Sequence, residues 1–239
     1  MKTTPFLTIL SAAAILSGCG GGGGGGNSGG GTPVSTPLKA LTPTTLTYDV
    51  TGTLKTPTSG GTQAVTSSSQ RVIVVSAGVA ANTFAINTQD ALVIPTQTGS
   101  TALSLRADVT QAGAGGNVVV NALDVTDGSK VLSATNRVYL PGTFVTNTNQ
   151  GTQTLAFNDG STATYSFSIG GQESVQVATG TYTAYVVTAS LTFGTGTNNR
   201  RAGKYWYVPS LGTYVKSTET ITRPDGTVAV ITSSLVNVS

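Results

Sequence analysis

The segment Ala163–Ile169 reads ATYSFSI, and it decides the fold because apolar and hydroxyl-bearing residues alternate along its whole length. Successive side chains of a β-strand point to opposite faces, so this segment would place its apolar residues on one face and its Ser and Thr residues on the other. The spacing of about 3.6 residues that defines one face of a helix does not fit it. The segment therefore predicts a strand with one face in a core and the other in water.

The same alternation recurs elsewhere in the chain. It is found in LTYDVTGTL (46–54), TALSLRADV (101–109) and YVVTASLTF (185–193). RVIVVS (71–76) and NVVVNALDV (117–125) are more continuously apolar, which predicts strands covered on both faces. Gly-Gly at 60–61 and Asp-Gly at 127–128, 159–160 and 225–226 favour tight hairpins, and strands joined by tight hairpins run antiparallel.

No window of ten residues after the first 18 combines helical spacing with good helix formers, so we expect few or no helices there. The sequence predicts an all-β, antiparallel fold of about a dozen strands. Periodicity alone leaves three architectures open: a barrel, an open half-barrel and a β-sandwich. The turn-rich stretch that starts at Pro141 suggests two halves, 45–140 and 141–239.

The N-terminus has the form of a signal peptide spanning residues 1–18. Lys2 precedes an apolar stretch, Phe6–Leu16, that is shorter than the roughly 20 residues needed to span a bilayer. Leu16-Ser17-Gly18-Cys19 then resembles the lipobox of bacterial lipoproteins. The resemblance implies cleavage before Cys19, acylation of its thiol with palmitate-type chains, and anchoring in the cell envelope. The alternative is an incidental cysteine in an ordinary signal peptide.

The residues after Cys19 predict a tether. Seven glycines follow it directly, and the chain to position 44 is rich in Gly, Ser, Thr and Pro, which offers little apolar surface to offset the entropy of ordering. We therefore expect 19–44 to be the lipidated cysteine with a disordered tether, and 45–239 to be the β-domain. Gly20 stands where enterobacterial inner-membrane lipoproteins have Asp, so the same resemblance implies the outer membrane.

Charge and composition exclude several functions. Without Lys2, the twelve Lys and Arg residues become eleven, against nine Asp and Glu, so the charge is nearly balanced and nucleic acid is not an expected partner. The chain has no histidine, which removes Ser-His-Asp catalysis and most zinc sites, and we expect no metal and no cofactor. Nine carboxylates remain for a glycan-acting enzyme. Asp127, Asp159 and Asp225 precede hairpin glycines, whereas Asp108 and Glu219 are expected to face water.

Two neighbouring groups are candidate binding residues. Arg200, Arg201 and Lys204 form a basic cluster that we place on a loop between strands, either as a solvated hairpin tip or as an anion site for lipid headgroups or surface glycans. Next to it, Tyr205, Trp206 and Tyr207 would alternate between the two faces of a strand. One of those faces belongs to the core. The other could present the tyrosines to a ligand, and ordinary packing of the triplet is the alternative.

The segments 171–193 and 203–222 resemble the C-terminal half of small glycine-tethered bacterial lipoproteins related to the LolA-like half-barrel proteins. The matching residues are Val175, Val177, Gly180, Thr181, Tyr182, Trp206, Tyr207, Pro209, Gly212, Val215 and Lys216. Ala178 stands where a Pro is usual, and Ser210 where the hairpin often has Gly. The resemblance implies an antiparallel sheet curved around an apolar inner face, which in the lipid carriers of that family holds acyl chains.

These observations favour a non-catalytic, lipid-anchored envelope domain that binds an apolar ligand, such as a lipid, or a partner protein. The membrane would itself be a partner, through the anchor at Cys19. A structural or adhesive surface-display lipoprotein is the alternative, and a glycan-acting enzyme is the third hypothesis.

Overall fold

A computed structural model describes residues 33–57, 61–93, 100–125, 128–131, 138–194 and 199–239. This part of the chain contains strands and no helix, and hence no helix long and apolar enough to cross a membrane. The strands are β1 (Ser35–Pro37), β2 (Thr44–Lys55), β3 (Gln63–Val65), β4 (Gln70–Ala77), β5 (Thr83–Val93), β6 (Ser100–Gln111), β7 (Val118–Val125), β8 (Gly128–Val131), β9 (Val138–Leu140), β10 (Thr143–Val145), β11 (Thr148–Ala156), β12 (Thr162–Val177), β13 (Gly180–Phe193), β14 (Arg200–Val208), β15 (Thr213–Thr222) and β16 (Val228–Val238).

Fourteen of these strands form one antiparallel sheet. Its main path is β11-β12-β13-β14-β15-β16-β2-β4-β5-β6-β7-β8, while β3 pairs with β2 and β9 pairs with β7 beside that path. In the described part of the chain the two end strands, β11 and β8, do not pair with each other, so the sheet is open. The all-β, antiparallel prediction is confirmed, and of the architectures left open the closed barrel is excluded.

The two predicted halves share this sheet. The C-terminal strand β16 pairs with β2 from Val228 opposite Lys55 to Val238 opposite Leu46. Gly52 of β2 has a φ of +143°, and a Cβ at this position would lie 2.1 Å from the carbonyl oxygen of Val230. A glycine is required there because both the backbone conformation and the close approach of β16 exclude a side chain.

One face of the sheet, the inner face, is buried. A large apolar cluster on it draws residues from β2, β4 and β12 to β16, among other strands. A second, smaller cluster lies apart and consists of Val50, Leu54, Val65, Leu92, Ile221, Ala229 and Ile231. The prediction that 71–76 is covered on both faces is wrong: Ile73 and Val75 are buried, but Val74 is 37% exposed. The outer face of this strand is therefore solvated, as is common in antiparallel sheets.

The prediction that residues 33–44 belong to a disordered tether is wrong, since they are part of the folded domain. β1 pairs with β10, Leu38 is buried, and the Leu38 and Lys39 amides donate to the carbonyls of Gly142 (2.8 Å) and Pro209 (2.9 Å). We call residues 33–42 the N-terminal strap. Its composition resembles that of the tether, but pairing with β10 and burial of Leu38 offset the entropy of ordering it. Residues 1–32, with the signal peptide and Cys19, lie outside the described residues.

The strap and β10 cover part of the inner face. Phe144 of β10 stacks on Tyr207, with ring centroids 4.7 Å apart, and lies 5.6 Å from the ring of Tyr185. The Thr36 hydroxyl in the strap is 2.8 Å from the Tyr185 hydroxyl. Aromatic side chains therefore fill the inner face of β13 and β14 at this end.

Candidate functional site

The structure separates the predicted binding residues onto two faces of β14. Arg201, Tyr205 and Tyr207 are buried on the inner face, whereas Arg200 and Lys204 lie on the outer face. The prediction of a single basic cluster on a loop is therefore wrong. The strand already begins at Arg200, and alternation along it sends neighbouring side chains in opposite directions.

The two tyrosines belong to the core and do not form a ligand surface. Tyr205 packs edge-on against Tyr214, which in turn stacks on Tyr48 at 4.9 Å between centroids. The Tyr48 hydroxyl donates to the Tyr214 carbonyl oxygen at 2.8 Å. Burial raises the pKa of Tyr205 well above its ordinary value, because a phenolate would lose its hydration there. The alternation of side chains at 205–207 was correctly predicted, and the two tyrosines lie on the face of the strand that belongs to the core.

Trp206 occupies the outer face within a small polar cluster. Its indole N–H donates to Glu173 Oε2 at 2.6 Å, and Lys204 Nζ lies 3.2 Å from Glu173 Oε1. The ammonium groups of Lys204 and Lys216 lie 4.5 and 5.3 Å from the centroid of the Trp206 ring. The hydrogen bonds from Trp206 and Lys204 lower the pKa of Glu173. Cation–π contacts and hydrogen bonds thus already use both the ring and its N–H group.

A groove of about 440 Å³ runs across the outer face of β12 to β16. Small side chains at directly paired positions create it, because Ser166, Ser190, Ala202, Thr220 and Val230 follow one another from strand to strand. The Ser166 and Ser190 hydroxyls lie 2.7 Å apart within it. Arg200 also lines this outer groove, so one of the predicted binding residues is at an open surface.

The most unusual feature of the inner face is a buried set of charged residues at the boundary of the two apolar clusters. We call Arg71, Asp90, Arg201, Glu219 and Arg223 the charged belt. Arg71 is fully buried: its Nε and Nη2 groups donate to the two oxygens of Asp90, and Nη1 donates to Glu219 Oε1 at 2.6 Å and to the Tyr214 hydroxyl at 2.8 Å. Each donor nitrogen of this guanidinium therefore has an acceptor.

The belt also shows that the sheet is curved. β2 and β16 lie between β4 and β15, so three strand spacings, about 14 Å along a flat sheet, separate Arg71 from Glu219. Their side chains nevertheless meet at 2.6 Å on the inner face. The sheet must bend around this contact, which is consistent with an open half-barrel.

Glu219 joins the two halves of the belt. It binds Arg71 through one oxygen and Arg201 through the other, and it also accepts a hydrogen bond from Ser217. Burial alone would raise the pKa of Glu219, but the charges of Arg201 and Arg71 and the hydrogen bonds from Arg71 and Ser217 lower it to about 2. The carboxylate is therefore ionised at neutral pH.

The prediction that Glu219 faces water is wrong, and the sequence held the signal needed to avoid the error. Glu219 is separated from the buried residues Val215 and Ile221 by even numbers of positions, so it shares their face of β15. Arg71 is likewise two positions from Ile73, and Asp90 two from Leu92. Charged residues at the apolar positions of an alternating strand were the missed signal. Asp108, by contrast, is 43% exposed in its side chain, as predicted.

Gly203 gives Glu219 its space. The two residues pair directly, and a Cβ on Gly203 would lie 2.6 Å from the Thr218 carbonyl oxygen and 2.9 Å from Glu219 Cγ. We expect Gly203→Ala to displace Glu219 from its arginines and to destabilise the protein by about 1–3 kcal/mol, as overpacking does. Urea unfolding would measure the change. Gly171→Ala on β12 is the control, since a Cβ there meets no atom within 4 Å. Equal effects of the two substitutions would contradict this account.

The belt does not have the chemistry of a glycosidase. Such an enzyme needs one carboxylic acid with a raised pKa facing a second carboxylate across a cleft. Asp90 and Glu219 instead bind the same buried guanidinium, and the pKa of Glu219 is lowered. The turn roles of Asp159 and Asp225 are confirmed, because each accepts a backbone N–H two residues later, from Ser161 and Thr227. Asp127 lies outside the described residues. In the described residues, no three His, Cys, Asp or Glu side chains are grouped to hold a metal.

Comparison with known proteins identifies no family for this chain. No family model and no curated protein matches the chain. One solved structure, described as that of a presumed exported protein with a YmcC-like fold from Bacteroides fragilis, is similar over 86% of this chain and 100% of that chain, with 12% sequence identity and a TM-score of 0.39. A similarity at this level identifies no function.

Proposed function

We propose that this chain is a non-catalytic, lipid-anchored domain of the bacterial cell envelope that binds a partner protein through its outer groove. The proposal is supported by the resemblance of residues 16–19 to a lipobox and by the open groove on the outer face of the sheet. Anchoring at the outer membrane is part of the proposal, because Gly20 follows the anchor. The partner is assigned to the outer face because the outer face has an open groove, whereas aromatic side chains fill the inner face.

The observation that carries this choice is the covering of the inner face. An apolar ligand would need space between the curved sheet and the elements that cover it. In the described residues, the ring of Phe144 occupies that position above Tyr185 and Tyr207, and Leu38 of the strap is buried beside them. The outer groove, by contrast, is open and lined mostly by Ser, Thr and Ala side chains, which lose little conformational entropy on binding. Val230, which is 51% exposed, adds apolar surface at its edge.

The corrected boundary also sets how far the domain stands from its anchor. Only residues 20–32 remain as a predicted flexible link, and thirteen residues of Gly-rich chain reach roughly 18–22 Å on root-mean-square average. This distance is enough to clear the lipid headgroups and leaves the domain close to the membrane. The partner is therefore expected to be another envelope protein at the same membrane surface.

Native mass spectrometry of the full chain, extracted from its membrane in mild detergent, tests the proposal. We expect a chain that begins at an acylated Cys19 and a complex with one protein partner. Ala202→Arg, which fills the groove without changing the inner face, should release the partner but not the acyl chains. Gln89→Arg, on the exposed face of β5, is the matched control and should retain both.

Three other results would contradict parts of the proposal. A bound lipid that survives Ala202→Arg would favour an apolar ligand on the inner face. A chain acylated at Cys19 but without a partner would favour surface display. An unmodified chain that retains residues 1–18 would contradict the anchor.

A further inference from the structure

The charged belt carries an unbalanced positive charge. Its three arginines, Arg71, Arg201 and Arg223, are 0%, 4% and 8% exposed, and they share only two buried carboxylates, Asp90 and Glu219. A buried guanidinium that lacks a counter-ion is costly, because it has lost its hydration without gaining an equivalent partner. The surplus of one positive charge requires a physical explanation.

The hydrogen bonds assign that surplus to Arg223. Arg71 directs its Nε and Nη2 groups at the two oxygens of Asp90, whereas Arg201 directs both groups at one oxygen of Glu219, with a hydrogen bond from Nε and an ion pair from Nη2. Nε and Nη2 form the edge of a guanidinium that binds two oxygens side by side. On Arg223 both of these nitrogens are buried and have no hydrogen-bond partner. Arg223 thus presents, without a partner, the same edge that Arg71 uses to bind both oxygens of Asp90.

Nearby carboxylates do not fill this edge. Asp225 Oδ1 accepts the Thr227 amide at 2.8 Å and makes no hydrogen bond to Arg223 Nε or Nη2. Asp90 is bound to Arg71 through both of its oxygens. Burial lowers the pKa of Arg223, and the charges of Asp225 and Asp90 offset that effect only in part, whereas the pKa values of Arg71 and Arg201 are raised by their carboxylates.

Arg201 can contribute to the same site. It pairs with Ile221, so Arg223, two residues further along the chain, is its diagonal neighbour on the inner face. Residues that are diagonal neighbours lie about 7–8 Å apart, a distance that the side chains of two arginines can span. Arg201 Nη1 and Nη2 are also buried without a hydrogen-bond partner, and of the two Nη2 makes an ion pair with Glu219, which leaves Nη1 for a ligand. Arg223 immediately precedes the exposed turn at 224–226, so a ligand would enter from that side by displacing the turn.

We propose that Arg223 and Arg201 form an oxyanion site that binds a phosphate group. The Nε and Nη2 edge of Arg223 would hold two phosphate oxygens and Arg201 Nη1 a third, which a planar carboxylate could not supply. The negative charge would balance the surplus of the belt. The phosphate could be free inorganic phosphate or the headgroup of a lipid, since both offer the same oxygens at the entry side.

The test uses the full chain in an uncharged detergent, titrated with inorganic phosphate by calorimetry, and a parallel flotation assay with vesicles. The vesicles are zwitterionic, with or without a lipid whose headgroup is a phosphate monoester. We expect Arg223→Gln to weaken the binding of whichever probe wild type binds at least tenfold. Arg223→Lys, which keeps the charge but loses the two-nitrogen edge, should weaken it less. Arg106→Gln, at an exposed arginine paired with Asp108, should leave it unchanged.

A second measurement separates this site from a purely structural role. Without phosphate, Arg223→Gln should unfold at the same temperature as wild type or higher, because it removes an uncompensated buried charge. With phosphate, wild type should become the more stable protein, since a ligand that binds the folded state stabilises it. If Arg223→Gln does not fold, the loss of affinity in Arg223→Lys decides the question.

The two probes also identify the source of the phosphate. Binding of inorganic phosphate assigns a free anion, whereas binding only to vesicles with the phosphate monoester assigns a lipid headgroup. Binding of neither probe, or equal binding by wild type and both Arg223 variants, would overturn the proposal.

Discussion

Glu219→Gln is expected to lower the free energy of unfolding by about 3–5 kcal/mol, the range found when one partner of a buried ion pair is removed. The substitution keeps the shape of the side chain but removes the charge that Arg71 and Arg201 share. Both guanidinium groups would stay buried, and Arg201 would lose its carboxylate. Urea unfolding in a Cys19→Ser background, which keeps the chain free of acyl groups, would measure the change.

The same residue predicts a dependence on pH. The pKa of Glu219 is lowered to about 2 in the folded protein, from 4.5 without its partners. A carboxylate whose pKa is lower in the folded state stabilises the fold above its unfolded pKa, and that stabilisation disappears as the pH falls toward the folded pKa. Wild type should therefore lose roughly 3 kcal/mol between pH 4.5 and 2 from this residue alone. Glu219→Gln should lack that part of the acid dependence.

Glu173→Gln is the matched control. Glu173 also bonds to a cation and to a neutral donor, Lys204 and Trp206, but its side chain is 48% exposed. Water screens exposed pairs, so this substitution should change stability far less than Glu219→Gln. Two results would contradict the assignment of the belt as a buried ionic network. One is a similar loss of stability in the two variants, and the other is a Glu219→Gln protein whose stability falls at low pH as much as that of wild type.

Cys19→Ser is expected to abolish membrane attachment while leaving the fold unchanged. It removes the single thiol of the chain, and the strands from Ser35 onward do not involve that position. Each buried CH₂ of an acyl chain contributes about 0.8 kcal/mol, so several tens of them amount to a stable anchor. The variant should remain with an uncleaved signal peptide or become soluble in the periplasm.

Cell fractionation followed by alkaline carbonate and detergent extraction would measure the effect. Wild type should require detergent, whereas any processed Cys19→Ser protein should be released without it. Ser17→Ala changes a neighbouring small residue for another and should behave as wild type. A Cys19→Ser variant that is cleaved and partitions like wild type would contradict the lipobox interpretation.

The sequence by itself determined the class of fold and the direction of most side chains. Alternation in ATYSFSI correctly placed Tyr165 and Phe167 in the core, and the same rule placed Trp206 on the face opposite its two tyrosines. This was possible because the period of two is a local property of the extended backbone and needs no knowledge of the partner strand. Applied consistently to Glu219 and Arg71, it would also have placed both residues on the inner face.

Only the tertiary structure decided what those side chains meet. Arg71 and Glu219 are 148 positions apart in sequence, and curvature of the sheet across four strands brings them into contact. The strap shows the same limit, because the composition of residues 33–42 predicts disorder and only pairing with β10 and burial of Leu38 order it. The physical reason is that burial, ion pairing and the balance of charge are long-range properties of the folded sheet, whereas alternation is fixed by the local chain.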